Sequence, residues 1–213
     1  RKKPPGELLA SAHQVDREYR VMAALRDTDV PVPVMRGLCE DPDVIGTSFY
    51  VMDYLEGRIF RDATLPDCTP GERAAIYDDL NAVLAKLHRV DWKAAGLEDF
   101  GRPGNYFERQ VGRWTKQYRN TPLDPIPAME RLIEELPAGI PQDDSTAIAH
   151  GDYRLENVMI HPTEPRLIAV LDWELSTIGH PLADLGYSGF LWHSDSPGWG
   201  SLKGVDFAAS GIP

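Results

Sequence analysis

Asp152, Asn157 and Asp172 are the residues whose types and order could carry out chemistry in this chain. Asp152 and Asn157 lie four intervening residues apart in "HGDYRLENVMI" (150–160), and Asp172 ends the apolar run "LIAVLD" (167–172). If "NVMI" and "LIAVLD" pair as a hairpin, Asn157 and Asp172 converge at one end of it. A carboxylate and an amide oxygen side by side suit a hard cation such as Mg²⁺, which takes few protein ligands and keeps its other positions for water and phosphate. Asp152, one loop upstream, can then face a substrate hydroxyl and accept its proton. Each residue alone has a plainer use. An Asp in a Gly-Asp turn shapes the turn, an Asn before a strand caps a loop, and Asp172 could pair with a neighbouring cation. A hydrolytic metal site on His150, Asp152 and His161 is a third arrangement; it needs histidines on one converging face, and "HP" at 161–162 reads as a turn.

The elements that must position these residues are legible in outline. "SAHQVDREYRVMAALRD" (11–27) predicts a helix capped by Ser11, with Val15, Tyr19, Met22 and Leu25 at helical spacing. Two prolines in "VPVPVM" (30–35) break it and lead into a strand near 34–39, and the β-branched and aromatic "TSFYVMDYL" (47–55) predicts a buried strand. "TPGERAAIYDDLNAVLAKLHRVD" (69–91) is the strongest helix, capped by Thr69, with Pro70 in its first turn and a stripe of Ala75, Ile76, Leu80, Val83, Leu84 and Leu87. Weaker helices follow near 104–119 and 126–136. Then come the short apolar runs "AIAH", "NVMIH" and "LIAVLDW", and a last helix through "HPLADLGYSGFLW". A boundary near residues 55–58 divides a small strand-rich lobe (1–55) from a larger helical one (56–213).

Bulk composition removes several classes of function. A length of 213 residues gives room for one large domain or two small ones. A formal charge of −11 speaks against nonspecific nucleic-acid binding, which needs a basic footprint; it would suit a cationic ligand, and a solvated acidic surface gives the same number. Cys39 and Cys68 are the only cysteines and form neither a zinc motif nor a disulfide framework, which points to a reducing, cytoplasmic setting. No apolar run of about 18 residues offers a membrane span. The start "RKKPPGELLA" is basic but leads into no apolar signal segment; the missing initial Met and the ending "SGIP" read as a fragment.

An Asp-x4-Asn step followed by strand, turn and a strand ending in Asp is the spacing of the kinase catalytic loop and its metal-binding aspartate. "HGDYRLENVMIHP" and "LIAVLDWELSTIGHPLADL" resemble the aminoglycoside phosphotransferase-like family of small-molecule kinases. Within that family, "RKKPPGELLASAHQVDREYRVMAAL", "IGTSFYVMDYLEGRIFRD", "RQVGRWTKQY" and "LDWELSTIGHPLADL" are similar to the kinase-like domains found alone in bacteria or fused to acyl-CoA dehydrogenases. The resemblance covers nearly the whole chain. It implies an α+β, protein-kinase-like two-lobed fold, truncated at both ends. It also implies an ATP- and Mg²⁺-dependent transfer of a phosphoryl group to a hydroxyl of a small molecule.

Residue by residue, the resemblance makes Asp152 the catalytic base and Asn157 and Asp172 the magnesium ligands. Arg154 lies in the loop near the transferred phosphoryl group or simply on the surface. His150 orients backbone around Asp172, Asp184 braces the catalytic loop, and Trp173 and Glu174 stand where protein kinases have Phe-Gly. In the amino-terminal lobe Glu18 is the acid that positions a cation for the ATP phosphates, with Arg1 as that cation and Lys3 as the fallback. Met52, Asp53, Tyr54 and Leu55, the link between the lobes, are adenine-site candidates by position. His88 is expected to be structural. The family's glycine-rich loop is absent from the residues given, a departure that favours a nucleotide-binding module without transfer as the alternative. The acceptor is expected near "NYFERQVGRWTKQYR" (105–119), with Tyr106, Arg109, Arg113, Trp114 and Lys116; an amphipathic helix covering the core would use the same residues.

Overall fold

The computed structural model describes residues 1–2, 14–122, 124–195 and 201–213. Helix α1 (Val15–Ala24) buries Val15, Val21 and Met22, and in the same face it buries Glu18 completely. Its predicted cap Ser11 lies outside the described residues; Gln14 precedes the helix without a side-chain cap. Strands β1 (Met35–Cys39) and β2 (Phe49–Met52) pair antiparallel with an irregularity after Met35. A four-residue helix joins them, α2 (Pro42–Ile45), which the sequence reading passes over. Asp41 starts it by accepting from Asp43 N–H at 2.9 Å, and Gly46 at φ +86° ends it. On the other edge of β2, Arg1 and Tyr50 exchange two backbone hydrogen bonds of 3.0 Å, so Arg1 occupies a third strand position. The strand predicted over 47–55 stops at Met52, and Tyr54 beyond it is 89% exposed.

Helix α3 (Pro70–Arg89) is the scaffold's centre. Thr69 and Glu72 close a reciprocal capping box around Pro70, and the buried face is Ile76, Tyr77, Leu80, Val83, Leu84 and Leu87. That face packs on strands β3 (Ala147–Ala149) and β5 (Leu167–Val170). Strand β5 pairs antiparallel with β4 (Val158–Ile160), the predicted hairpin. β3 pairs instead with β6 (Thr177–Gly179), a three-residue strand too short for alternation to reveal. Helices α4 (Tyr106–Arg119) and α5 (Pro127–Glu135) form where expected, yet neither buries a residue. α4 is therefore not a cover for the core. Helix α6 (Pro181–Gly189) runs into a 3₁₀ turn at Phe190–Trp192, and a short α7 (Phe207–Ser210) follows. The architecture is α+β, and among the described residues no helix is long and apolar enough to cross a membrane.

Candidate active site

Strands β4 and β5 bring two of the three predicted residues together. Leu171 N–H donates to Asn157 C=O at 2.8 Å, so the residue before Asp172 is tied to the backbone of Asn157. Asn157 is buried, and its Nδ2 donates to both the carbonyl (2.9 Å) and a carboxylate oxygen (2.7 Å) of Asp152. Both amide protons are thereby committed to Asp152, which leaves Oδ1 as the acceptor end of the side chain. Asp172 has φ +60° and ψ +59°, a left-handed conformation that side chains other than glycine rarely adopt. It opens the 3₁₀ turn Trp173–Leu175, against which α1 packs.

The loop at 150–152 is fixed from three directions. Asp184, fully buried on α6, accepts from His150 N–H and Gly151 N–H, each at 2.8 Å, and lies 3.0 Å from His88 Nε2. His88 is structural, as expected. Gly151 sits at φ +85°, where an added Cβ would meet Leu175 O at 2.7 Å. His150 is also fully buried. Its Nδ1 accepts from Asp152 N–H at 3.2 Å and its Nε2 lies 2.9 Å from Leu171 O, so the ring is the neutral tautomer protonated at Nε2. Burial, above all, holds its pKa below the ordinary value. One imidazole thus joins the backbone at Asp152 to the backbone beside Asp172. The buried Trp173 ring lies 4.6 Å from it and ties its own Nε1–H to Val170 O at 3.0 Å.

Arg1 reaches across to this loop from the edge of β2. Its guanidinium lies 3.1 Å from Glu18, 2.8 Å from Asp172 and 3.3 Å from Glu174. The expected pairing of Arg1 with Glu18 forms, and Lys3 lies outside the described residues. Glu18 Oε2 also accepts from Tyr50 O–H at 3.0 Å, while Oε1 is buried without a hydrogen-bond partner. Burial raises the Glu18 pKa despite the opposing charge of Arg1. Arg154 comes to the site as well, with Nε 3.4 Å from Asp152 and Nη1 3.0 Å from Glu156.

The link candidates differ among themselves. Met52 packs against the core. Asp53 donates its N–H to Val34 O at 2.9 Å and gives its carboxylate to Arg36 at 2.5 and 2.8 Å, so both groups are engaged. Tyr54 and Leu55 have amides without a partner among the described residues. His161, the third member of the hydrolytic alternative, turns its Nδ1 to the N–H of Glu164 at 3.1 Å in the turn after β4. Among the described residues no three His, Cys, Asp or Glu side chains gather as a metal-binding set, so that arrangement is removed.

Tyr106 and Trp114 of the stretch 105–119 border a cavity next to Gly151 whose α6 side the sequence reading missed. Its volume is about 760 Å³, and it is lined by Tyr106, Phe107, Gln110 and Trp114 of α4, by Ala183, Gly186 and Tyr187 of α6, and by Gly151 and Phe190. The pKa of Tyr187 is pushed up to about 12, first by burial and then by the Asp152 carboxylate. The signal was available: Tyr187 follows Asp184 by three residues, which puts both on one helix face. Of the basic candidates on α4, Arg109 turns away to the carbonyls of Gly104 and Arg102. Arg113 lies 5.5 Å from the centre of the Trp114 ring.

The family model "Phosphotransferase enzyme family" matches residues 1–209. Mouse acyl-CoA dehydrogenase family member 10 is 48% identical over 215 positions, covering the whole chain and 20% of its own length; the chain spans about a fifth of that relative. A crystal structure from Ralstonia eutropha JMP134, provisionally described as an aminoglycoside phosphotransferase, superposes with a TM-score of 0.90 at 55% identity, over 93% of this chain and 61% of that one. A thermostable mutant of the aminoglycoside phosphotransferase APH(4)-Ia, in a ternary complex with ADP and hygromycin B, gives a TM-score of 0.65 at 15% identity, over 90% of this chain and 71% of that one. That last likeness is one of fold alone.

Proposed function

The chain belongs to the phosphotransferase enzyme family, and from that premise we propose that it moves the γ-phosphoryl group of ATP to a hydroxyl of a small molecule. The observation that carries the reading is the grip of Asn157 on Asp152, beside the tie between Asn157 and Leu171. Asp152 takes the proton of the acceptor hydroxyl as its oxygen bonds to the γ-phosphorus. The bond from that phosphorus to the β,γ-bridging oxygen breaks, and ADP leaves with the electron pair. Asn157 Oδ1 and the Asp172 carboxylate, two hard oxygens fixed by the same hairpin, fit Mg²⁺. The ion would supply charge neutralisation on the phosphates. Arg1, braced by Glu18, serves the ATP phosphates, with Arg154 near the transferred group and the link at 52–55 facing adenine.

A division near residues 55–58 into a nucleotide lobe and a helical lobe fits this reading, since Arg58 already exchanges both backbone hydrogen bonds with Ile160 of β4. The apolar cavity that reaches Gly151, next to Asp152, supports an acceptor with an apolar body, a hydroxylated acyl or carboxylate metabolite, with Arg113, 5.5 Å from the Trp114 ring of its wall, as a nearby counter-charge. A reducing setting such as the cytoplasm suits the free thiols of Cys39 and Cys68. The test is turnover of ATP by the full-length protein with a panel of hydroxylated carboxylates, intact and as Asp152→Ala. General-base help contributes about 10²–10⁴ in rate, so equal rates for the two proteins would remove the assignment. A second reading, a nucleotide-binding module without transfer, draws on the engagement of Arg1 by Asp172 and Glu174. Calorimetric binding of Mg-ATP by a full-length protein that phosphorylates none of the panel would favour it.

A further inference from the structure

We propose that Tyr50 is a positioning residue for Arg1: its phenol fixes the Glu18 carboxylate, and Glu18 in turn aims the Arg1 guanidinium at the phosphates of the nucleotide. The inference rests on the phosphotransfer reading above and adds a residue to that site. Tyr50 is buried in β2, against α1, where its ring centre lies 6.4 Å from that of Tyr19. It holds Arg1 at both ends. At the backbone, the two residues exchange hydrogen bonds of 3.0 Å along the edge of β2. At the side chain, the Tyr50 O–H donates to Glu18 Oε2 at 3.0 Å, and the same oxygen lies 3.1 Å from Arg1 Nη1. Glu18 is fully buried and its Oε1 has no hydrogen-bond partner, so one oxygen carries both contacts.

This shared oxygen decides where the guanidinium rests. Arg1 also lies 2.8 Å from Asp172 and 3.3 Å from Glu174, two carboxylates that follow β5. A carboxylate tied at one oxygen to a ring packed between strand and helix has a single orientation to offer. Without the phenol, Glu18 is free to turn about its last bond and let go of Nη1. Asp172 and Glu174 would then hold the guanidinium by themselves, against the carboxylate proposed for Mg²⁺ and away from the phosphates. The phenol itself meets neither phosphate nor metal in this scheme. Its whole effect passes through Glu18 and Arg1.

The experiment titrates the full-length protein by calorimetry with Mg-ATP and, separately, with adenosine, in four forms: intact, Tyr50→Phe, Arg1→Met and the double variant. Phe keeps the ring and its packing; a thermal melt checks the fold. A hydrogen bond to a charged group is worth roughly 10-fold or more in an equilibrium constant. Passed on through two side chains, its loss in Tyr50→Phe is expected to weaken Mg-ATP binding by about 5-fold and to change adenosine binding by less than about 2-fold. In the Arg1→Met background the same substitution is expected to cost nothing further, because the phenol acts only through that guanidinium. Unchanged Mg-ATP affinity, equal weakening of both ligands, or the same loss again in the Arg1→Met background overturns the positioning role and leaves the phosphotransfer reading standing. An intact protein that binds no Mg-ATP overturns the phosphotransfer reading, and this inference with it.

Discussion

Asp184 holds the loop at 150–152 with its buried carboxylate, which meets three partners, and exchanging it for Asn tests how much of the fold depends on them. Asp184→Asn conserves volume but replaces one acceptor oxygen with an NH₂ group. Its neighbours are two backbone N–H donors at 2.8 Å and His88 Nε2 at 3.0 Å, all around a carboxylate with no solvent exposure. Two amides cannot both be satisfied by one remaining oxygen that keeps its geometry, so at least one buried N–H loses its partner. An orphaned buried amide costs about 1–3 kcal/mol, and hydrogen bonds to a charged group contribute roughly 1.5–3 kcal/mol each. Breaking a buried ionic arrangement by altering one member typically costs about 3–5 kcal/mol. For a domain of this size each kcal/mol lowers Tm by about 2–4 °C, so a fall of roughly 6–20 °C is expected. Thermal and urea unfolding of the purified protein, followed by circular dichroism, measure it. Amide hydrogen exchange at Gly151 adds a local readout and should accelerate more than exchange in α3. A loss under about 1 kcal/mol, or a full loss with unchanged protection at Gly151, would refute the view that Asp184 anchors this loop.

Two further outcomes follow from the same geometry. Gly186 faces the cavity, with no atom within 4 Å of an added Cβ. Gly186→Phe should therefore fill the space, raising the KM of any cavity-bound acceptor by about 10-fold or more while calorimetry finds Mg-ATP affinity unchanged; the estimate corresponds to about 1.4 kcal/mol of lost binding. His150 is buried and neutral with its pKa below the ordinary 6.5, so it contributes stability above that value that is lost as pH falls through it and the unfolded chain takes up a proton. Urea midpoints measured from pH 7.5 down to 5 should decline, and His150→Asn should flatten the decline.

Which parts of the molecule the sequence disclosed depends on how far their causes reach along the chain. α3 was readable because its cap, its proline and its apolar stripe are all local, and all three recur in the structure. The β4–β5 hairpin was readable because two short, continuous apolar runs flank a polar, proline-containing turn. Strand β6 escaped notice because three residues carry no period, and its pairing with β3 is a contact across 27 intervening residues (150–176) fixed by packing. The residues proposed to carry the chemistry stood out through their order. Their connections stood out less: nothing in the spelling of His150 announces that one ring links Asp152 N–H to Leu171 O. The cavity was obscured for a different reason. α4 reads as amphipathic, and amphipathicity alone does not say whether its apolar face meets a core or an open space.

Asp172 sits in a backbone region that a glycine would occupy at lower cost. Side chains held there raise the energy of the folded state by about 1–3 kcal/mol, which the surroundings must offset. Heat tolerance and chemistry consequently pull this position in opposite directions. A laboratory selection that rewards survival at high temperature alone will be drawn toward removing the carboxylate, and sequences enriched that way will melt later while having lost the group proposed to hold Mg²⁺.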